Sequence, residues 1–205
     1  MMNKPEATVS GNKSCEVGKS KVRDRIFDTA CELFYEHGIR CVGVDAIANA
    51  AGTNKMSFYR SFPSKDDLVL EYLREHERAH WEWWDATIAP HHGAPEKQIM
   101  ALFEGQLAKS RKKDKHGCAF LNAMVEIRET EHPAREVVYA YKAETRRRFR
   151  KLAKEAGAQT PDVLGDALTL IASGNAMSSI SFSCQDGPVV NSPKIVKKLL
   201  EAYLQ

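Results

Sequence analysis

Between Val44 and Lys65 the chain reads VDAIANAAGTNKMSFYRSFPSK, and this stretch constrains the fold more than any other. Val44, Ile47, Ala48 and Ala51 recur at helical spacing and predict the inner face of a short helix. Gly52 supplies the left-handed residue that lets the chain turn at its end. Asn54 can cap a second helix over Lys55 to Phe62, with Phe58 and Phe62 inward and Pro63 as its stop. Ser64 with Asp67 forms a capping box that opens a third helix at once. From Ala46 to Lys65 no acidic residue occurs, while Lys55, Arg60 and Lys65 are basic. Two ordinary core helices share the apolar spacing, but nothing in core packing removes carboxylates from an outer face. A short helix whose outer face is basic and hydroxyl-bearing is what the phosphate-lined groove of duplex DNA requires.

The flanking sequence extends the pattern. RIFDTACELFYEHGIR, then VDAIANAAG, then FYRSFPSKDDL follow one another between Arg25 and Leu70. In order and spacing they resemble the DNA-binding domain of the tetracycline-repressor (TetR) family. That resemblance implies an all-helical homodimer, a ligand-receiving C-terminal domain, and repression relieved by a small molecule. The position before the second helix is commonly Thr in the family, where a hydroxyl caps the helix and meets a phosphate; here it is Gly43. Glycine still leaves the backbone amides open to a phosphate, but the hydroxyl contact is lost. The expected DNA-contacting residues are Gly43, Lys55, Met56, Ser57, Tyr59, Ser61 and Lys65. Lys55 and Ser57 suit base edges and Met56 a thymine methyl, whereas Tyr59 and Lys65 suit phosphates. For Tyr59 a half-buried core position is the other reading. The expected partner is a pseudo-palindromic duplex operator.

Beyond this domain the pattern stays helical. With the 205 residues divided as a tail over 1–20, a helix-turn-helix domain over 21–66 and a ligand-binding and dimerisation domain over 67–205, about nine helices are predicted and no strand. Predicted spans are 21–37, 44–51, 55–62, 65 through the tryptophans, 96–110, 118–129, 133–156, 161–184 and 194–204, with the segment 89–95, APHHGAP, as a loop. The fold class is therefore all-α. The tail is rich in Lys, Ser, Asn and Gly and reads either as solvated or as a DNA-binding arm, since six basic residues lie between Lys4 and Arg25.

Trp81, Trp84, Phe103, Phe120, Met124, Tyr139, Phe149 and Met177 supply aromatic and soft side chains across these helices. They are the candidate lining of an effector cavity for an apolar or aromatic small molecule, with ordinary core as the alternative for each. Trp81 and Trp84 share a face, so Trp83 is expected nearer solvent. Ser173, Gly174, Ala176, Ser178, Ser179 and Ser181 let a partner helix approach closely, and in the family the last two helices pair between protomers.

The same sequence excludes other classes. No nucleophile–base pair or Gly-rich phosphate loop supports an enzyme, and no cofactor is expected. His76 and His80, then His91 and His92, lack supporting ligands for a metal. Five scattered cysteines, Cys15, Cys31, Cys41, Cys118 and Cys184, read as reduced thiols in a cytoplasm. Cys118 opens a helix, which leaves a redox-switched regulator of the same fold as the alternative function. No membrane-spanning run or signal-peptide core is found, so no membrane partner is expected. Arg146, Arg147, Arg148, Arg150 and Lys151 read as a solvated cluster balanced by Glu144 and Glu155.

Overall fold

The computed structural model describes residues 13–111, 117–182 and 186–204, with side chains from residue 21 onward. Residues 1–12 of the expected tail, most of the basic run after Arg111, and Cys184 lie outside the described residues. Among those described there are nine α-helices, two short 3₁₀ turns and no strand. The chain divides into two units, Met1–Leu68 and Val69–Gln205.

In the first unit, α1 (Lys13–His37), α2 (Val44–Ala50) and α3 (Lys55–Ser61) close on one another. Ile26, Ala30 and Phe34 from α1 meet Ile47 and Ala48 from α2 and Phe58 from α3, all buried. Helix α1 begins at Lys13, eight residues before the predicted start. The apolar stripe marks only where burial begins. Once nucleated, a helix gains one hydrogen bond per added residue, and polar Lys, Ser and Glu do not stop it. Gly38 (φ 85°) ends α1 and Gly52 (φ 61°) turns the chain after α2, each in the left-handed region.

In the second unit, α4 (Lys65–Ile88) enters from the first and is followed by α5 (Pro95–Ser110), α6 (Ala119–Glu126), α7 (Pro133–Glu155), α8 (Pro161–Ser181) and α9 (Ser192–Tyr203). Four of these helices open on a proline in the first turn, where the missing N–H has no partner to lose. Helix α6 ends three residues before the predicted limit, because Ile127 turns extended while its N–H still bonds to Ala123. Helix α8 ends at Ser181, where Phe182 is likewise extended. The core joins Trp84 to Phe103, Phe149, Leu152, Leu164 and Val196.

Two polar features fix this packing. Helices α7 and α8 approach so closely at Gly165 that a Cβ there would lie 2.6 Å from the Arg150 Cα. Beside that contact, Arg146 and Arg150 each grip the Asp166 carboxylate with two N–H donors at 2.7–2.8 Å. Deeper in, Asn175 of α8 donates from one amide nitrogen to Gln106 of α5 and to the Ser192 hydroxyl at the start of α9, both at 3.0 Å.

Candidate functional site

The helix-turn-helix is organised by its caps. Asn54 accepts the Ser57 N–H at 2.9 Å through its side chain, which starts α3 as the sequence indicates. Ser64 accepts the Asp67 N–H at 3.0 Å and donates its hydroxyl to the Asp67 carboxylate at 2.6 Å, so the Ser64–Asp67 pair caps the start of α4. Gly43 caps α2 with extended backbone (φ −88°, ψ 161°) and no side-chain bond.

Anchoring Phe58 in the core leaves the opposite face of α3 uncovered. Met56 is 75% exposed and Tyr59 48%, one turn apart on the same helix. Lys55 at the start of α3 is exposed, but its ammonium reaches the Asp45 carboxylate of α2 at 3.1 Å. Asp45, which the sequence reading passed over, is the sole carboxylate between Val44 and Lys65. Its place immediately before that acid-free run is the signal that could have found it. Ser57 is half-buried, and Ser61 donates its hydroxyl to the Ser57 carbonyl at 3.0 Å, so that donor is already engaged by its own helix. Lys65 is half-buried in the first turn of α4, and Arg60 stands exposed at the end of α3.

The eight candidate lining residues differ widely in burial. Phe103 and Phe149 stack at 5.6 Å with no exposure at all; they fill the core. Phe120 is buried against Tyr141, the rings 3.8 Å apart and nearly parallel. Met124 is half-buried on α6, whereas Tyr139 and Met177 are 54% and 46% exposed. Trp81 is half-buried, donating to Glu77 at 3.2 Å, and Trp84 is buried at 2%. Trp83 is half-buried like Trp81, and the Lys109 ammonium lies over its ring at 3.7 Å. Sequence periodicity indicates which side chains point inward but not whether they line a space or fill it.

Trp84 borders a cleft of about 680 Å³, which also takes in Ile88, Pro95, Leu152 and the α7 residues Arg147, Arg148 and Lys151. A space of this size is in the range that holds a small molecule. His80, which the sequence offers only as half of an unsupported metal-ligand pair, has its ring among Trp81, Trp83, Trp84 and Tyr141. Its Nε2 is buried without a hydrogen-bond partner. Burial first, then the charges of Lys109, Arg148 and Lys142, push its pKa down to about 4. His76 packs on Tyr72, and among the described residues no three His, Cys, Asp or Glu side chains converge as a metal would need.

Residues 26–72 match the family described as bacterial regulatory proteins, tetR family. The HTH-type transcriptional repressor KstR2 of Rhodococcus jostii is 46% identical over 57 residues, which is 28% of either chain, so the match spans little more than a quarter of that relative's length. Likeness to solved structures runs through both units. A TetR-family transcriptional regulator from Streptomyces coelicolor superposes with a TM-score of 0.81 at 26% identity, covering 91% of this chain and 97% of that one. For a TetR-type transcriptional regulator from Streptomyces avermitilis the TM-score is 0.76 at 31% identity, covering 89% and 97%.

Proposed function

This chain belongs to the TetR family of bacterial transcriptional regulators, and from that premise we propose that it is a homodimeric repressor released from its operator by a small-molecule effector. The observation that carries the DNA half is the uncovered face of α3, where Met56 and Tyr59 stand out beside Lys55. With Gly43, Ser57, Ser61 and Lys65 they form the docking surface. Met56 and Ser57 address base edges, and Tyr59 and Lys65 hold the backbone. Lys55 reaches the duplex by leaving Asp45.

Pairing of two copies is supported by α8 and α9, where Leu170, Met177, Ile180 and Ile195 are between 45% and 74% exposed. Two recognition helices set about 34 Å apart enter successive major grooves and read a pseudo-palindrome. An effector releases the duplex to the extent that it binds the DNA-incompetent conformation more tightly, and the coupling is reciprocal. Among the described residues no helix is long and apolar enough to cross a membrane, and we place this work on DNA in the cytoplasm. The cysteine-switched alternative has Cys118 as its best candidate, half-buried at the N-cap of α6.

In vitro selection from random duplexes tests the reading. It should enrich a two-fold-symmetric site, bound by a dimer in sedimentation at micromolar concentration. Lys65→Ala should weaken all duplexes alike and lower the salt slope by about one unit. Failure to enrich any duplex, or a stable monomer, refutes it. If thiol alkylation releases the duplex, the redox alternative replaces the effector.

A further inference from the structure

The basic cluster of α7, which the sequence presents as mere solvated surface, forms one wall of the cleft already described. The cleft opens between the end of α4, the turn at 89–94, the start of α5 and the last two turns of α7. Its floor is apolar: Trp84 and Leu152 are 2% and 5% exposed, with Ile88 and Pro95 beside them. Facing the floor are Arg147, Arg148 and Lys151.

These cations are held in place without a ligand. Glu144, which stands outside the lining, accepts Nε and Nη2 of Arg147 at 2.6 and 2.7 Å and Nε of Arg148 at 2.9 Å. Asp85 accepts Nη1 of Arg148 at 2.7 Å, and the same guanidinium lies 4.1 Å from the centre of Trp81. Arg147 and Arg148 hold the Glu144 pKa at about 2, so this clamp stays ionised. Nη1 of Arg147 and Nη2 of Arg148 make no hydrogen bond to any described residue. Preset donors avoid the ordering cost that flexible side chains incur on binding. With Glu144 counted, Arg147, Arg148 and Lys151 are matched by Asp85, Glu144 and Glu155, so what the cleft offers an anion is the two unpaired guanidinium nitrogens and not an excess of charge.

We propose that this cleft binds a carboxylic acid with a flat apolar or aromatic body, the body against Ile88 and Pro95 over the buried Trp84 and Leu152, and the carboxylate on the unpaired nitrogens of Arg147 and Arg148. A guanidinium edge presents donors in the plane a carboxylate needs. The inference narrows the effector class of the proposed function, and its link to DNA release rests on that reading.

The test uses full-length protein with 2-naphthoate and its neutral counterpart 2-naphthalenemethanol, followed by calorimetry and by tryptophan fluorescence. The acid should bind at least about tenfold more tightly than the alcohol, as a charge-assisted pair implies. Arg147→Gln, at a side chain 65% exposed, should remove that advantage without altering the alcohol's affinity, and Lys151→Gln should reduce it. Arg146→Gln, whose partner is Asp166 outside the cleft, should bind the acid as the parent does. Equal binding of acid and alcohol, binding of neither, or equal losses in the Arg146 and Arg147 variants overturns the proposal. If the acid binds as described but does not release the selected duplex, the cleft stands and the effector reading falls. If a different compound releases the duplex equally from parent, Arg147→Gln and Lys151→Gln, this cleft is not the effector site.

Discussion

Gly43 offers a way to measure what a single hydroxyl at the head of α2 is worth. Its backbone is extended, a conformation any residue adopts, and an added Cβ would meet nothing within 4 Å. Gly43→Ser therefore costs no strain. It removes unfolded-chain freedom worth roughly 0.4–1 kcal/mol and adds a cap worth a few tenths more. The serine oxygen accepts the N–H of Asp45 or Ala46 while its own O–H stays available to a phosphate. That second bond, to a charged acceptor, is worth about 1.5 kcal/mol, or roughly tenfold in affinity. Gly43→Ala is the matched control: it gains the same chain-entropy term, offsets it by being a poor cap, and offers no donor. Urea midpoints should rise by about 1 kcal/mol equivalent for serine and hardly move for alanine. Fluorescence anisotropy with the selected duplex should show roughly tenfold tighter binding for serine alone. Because the new contact is neutral, the slope of log affinity against log salt should not change. If serine and alanine bind alike, no phosphate lies at this cap and the docking geometry proposed for α2 is wrong.

Three other expectations follow from described contacts. Asp45→Asn should tighten duplex binding a few-fold, with a smaller gain in a Lys55→Ala background; an equal gain in both means the exposed 3.1 Å pair does not restrain Lys55. Gly165→Ala should destabilise by roughly 1–3 kcal/mol in urea titration, because the obstruction is Arg150 backbone, whereas Gly105→Ala should cost less, since its new Cβ meets only the edge of the Trp83 ring at 3.0 Å. His80 should make the protein acid-sensitive. Its native pKa of about 4 lies below that of the unfolded chain, so its contribution is intact above about pH 6.5 and is lost as pH falls towards 4, by roughly 3 kcal/mol in all. His80→Gln should flatten stability across that window relative to the parent, and an unchanged profile would show that the histidine is not held neutral.

How far the sequence could be read depended on the range of the interactions. The start of α3, the cap at Ser64 and the stops at Gly38 and Gly52 depend on residues a few positions apart, and all were legible. The start of α1 and the ends of α6 and α8 were less so, since exposed or frayed turns carry no apolar period. The face of α3 could be found because a missing charge type is visible in composition. The cleft could not: it joins Arg148 to Asp85 across 63 positions and depends on where α7 lies against α4. The same ion pairs explain why the basic run on α7 looked ordinary. Glu144 was visible as its partner at helical spacing, while Asp85, Asp162 and Asp166 come from other helices.

Asn175 has a consequence beyond holding three helices together. Apolar side chains tolerate sliding, because one methyl group substitutes well for another along a greasy groove. An amide that must find Gln106 and Ser192 at once does not. Displacing α9 by one residue would put Pro193 where the Ser192 hydroxyl had been, and would leave a buried amide proton unanswered at a cost of roughly 1–3 kcal/mol. The node therefore works as an indexing pin. It allows the surrounding leucines and valines to drift in identity while α5, α8 and α9 keep a single register. Any surface composed jointly by α8 and α9 inherits that alignment.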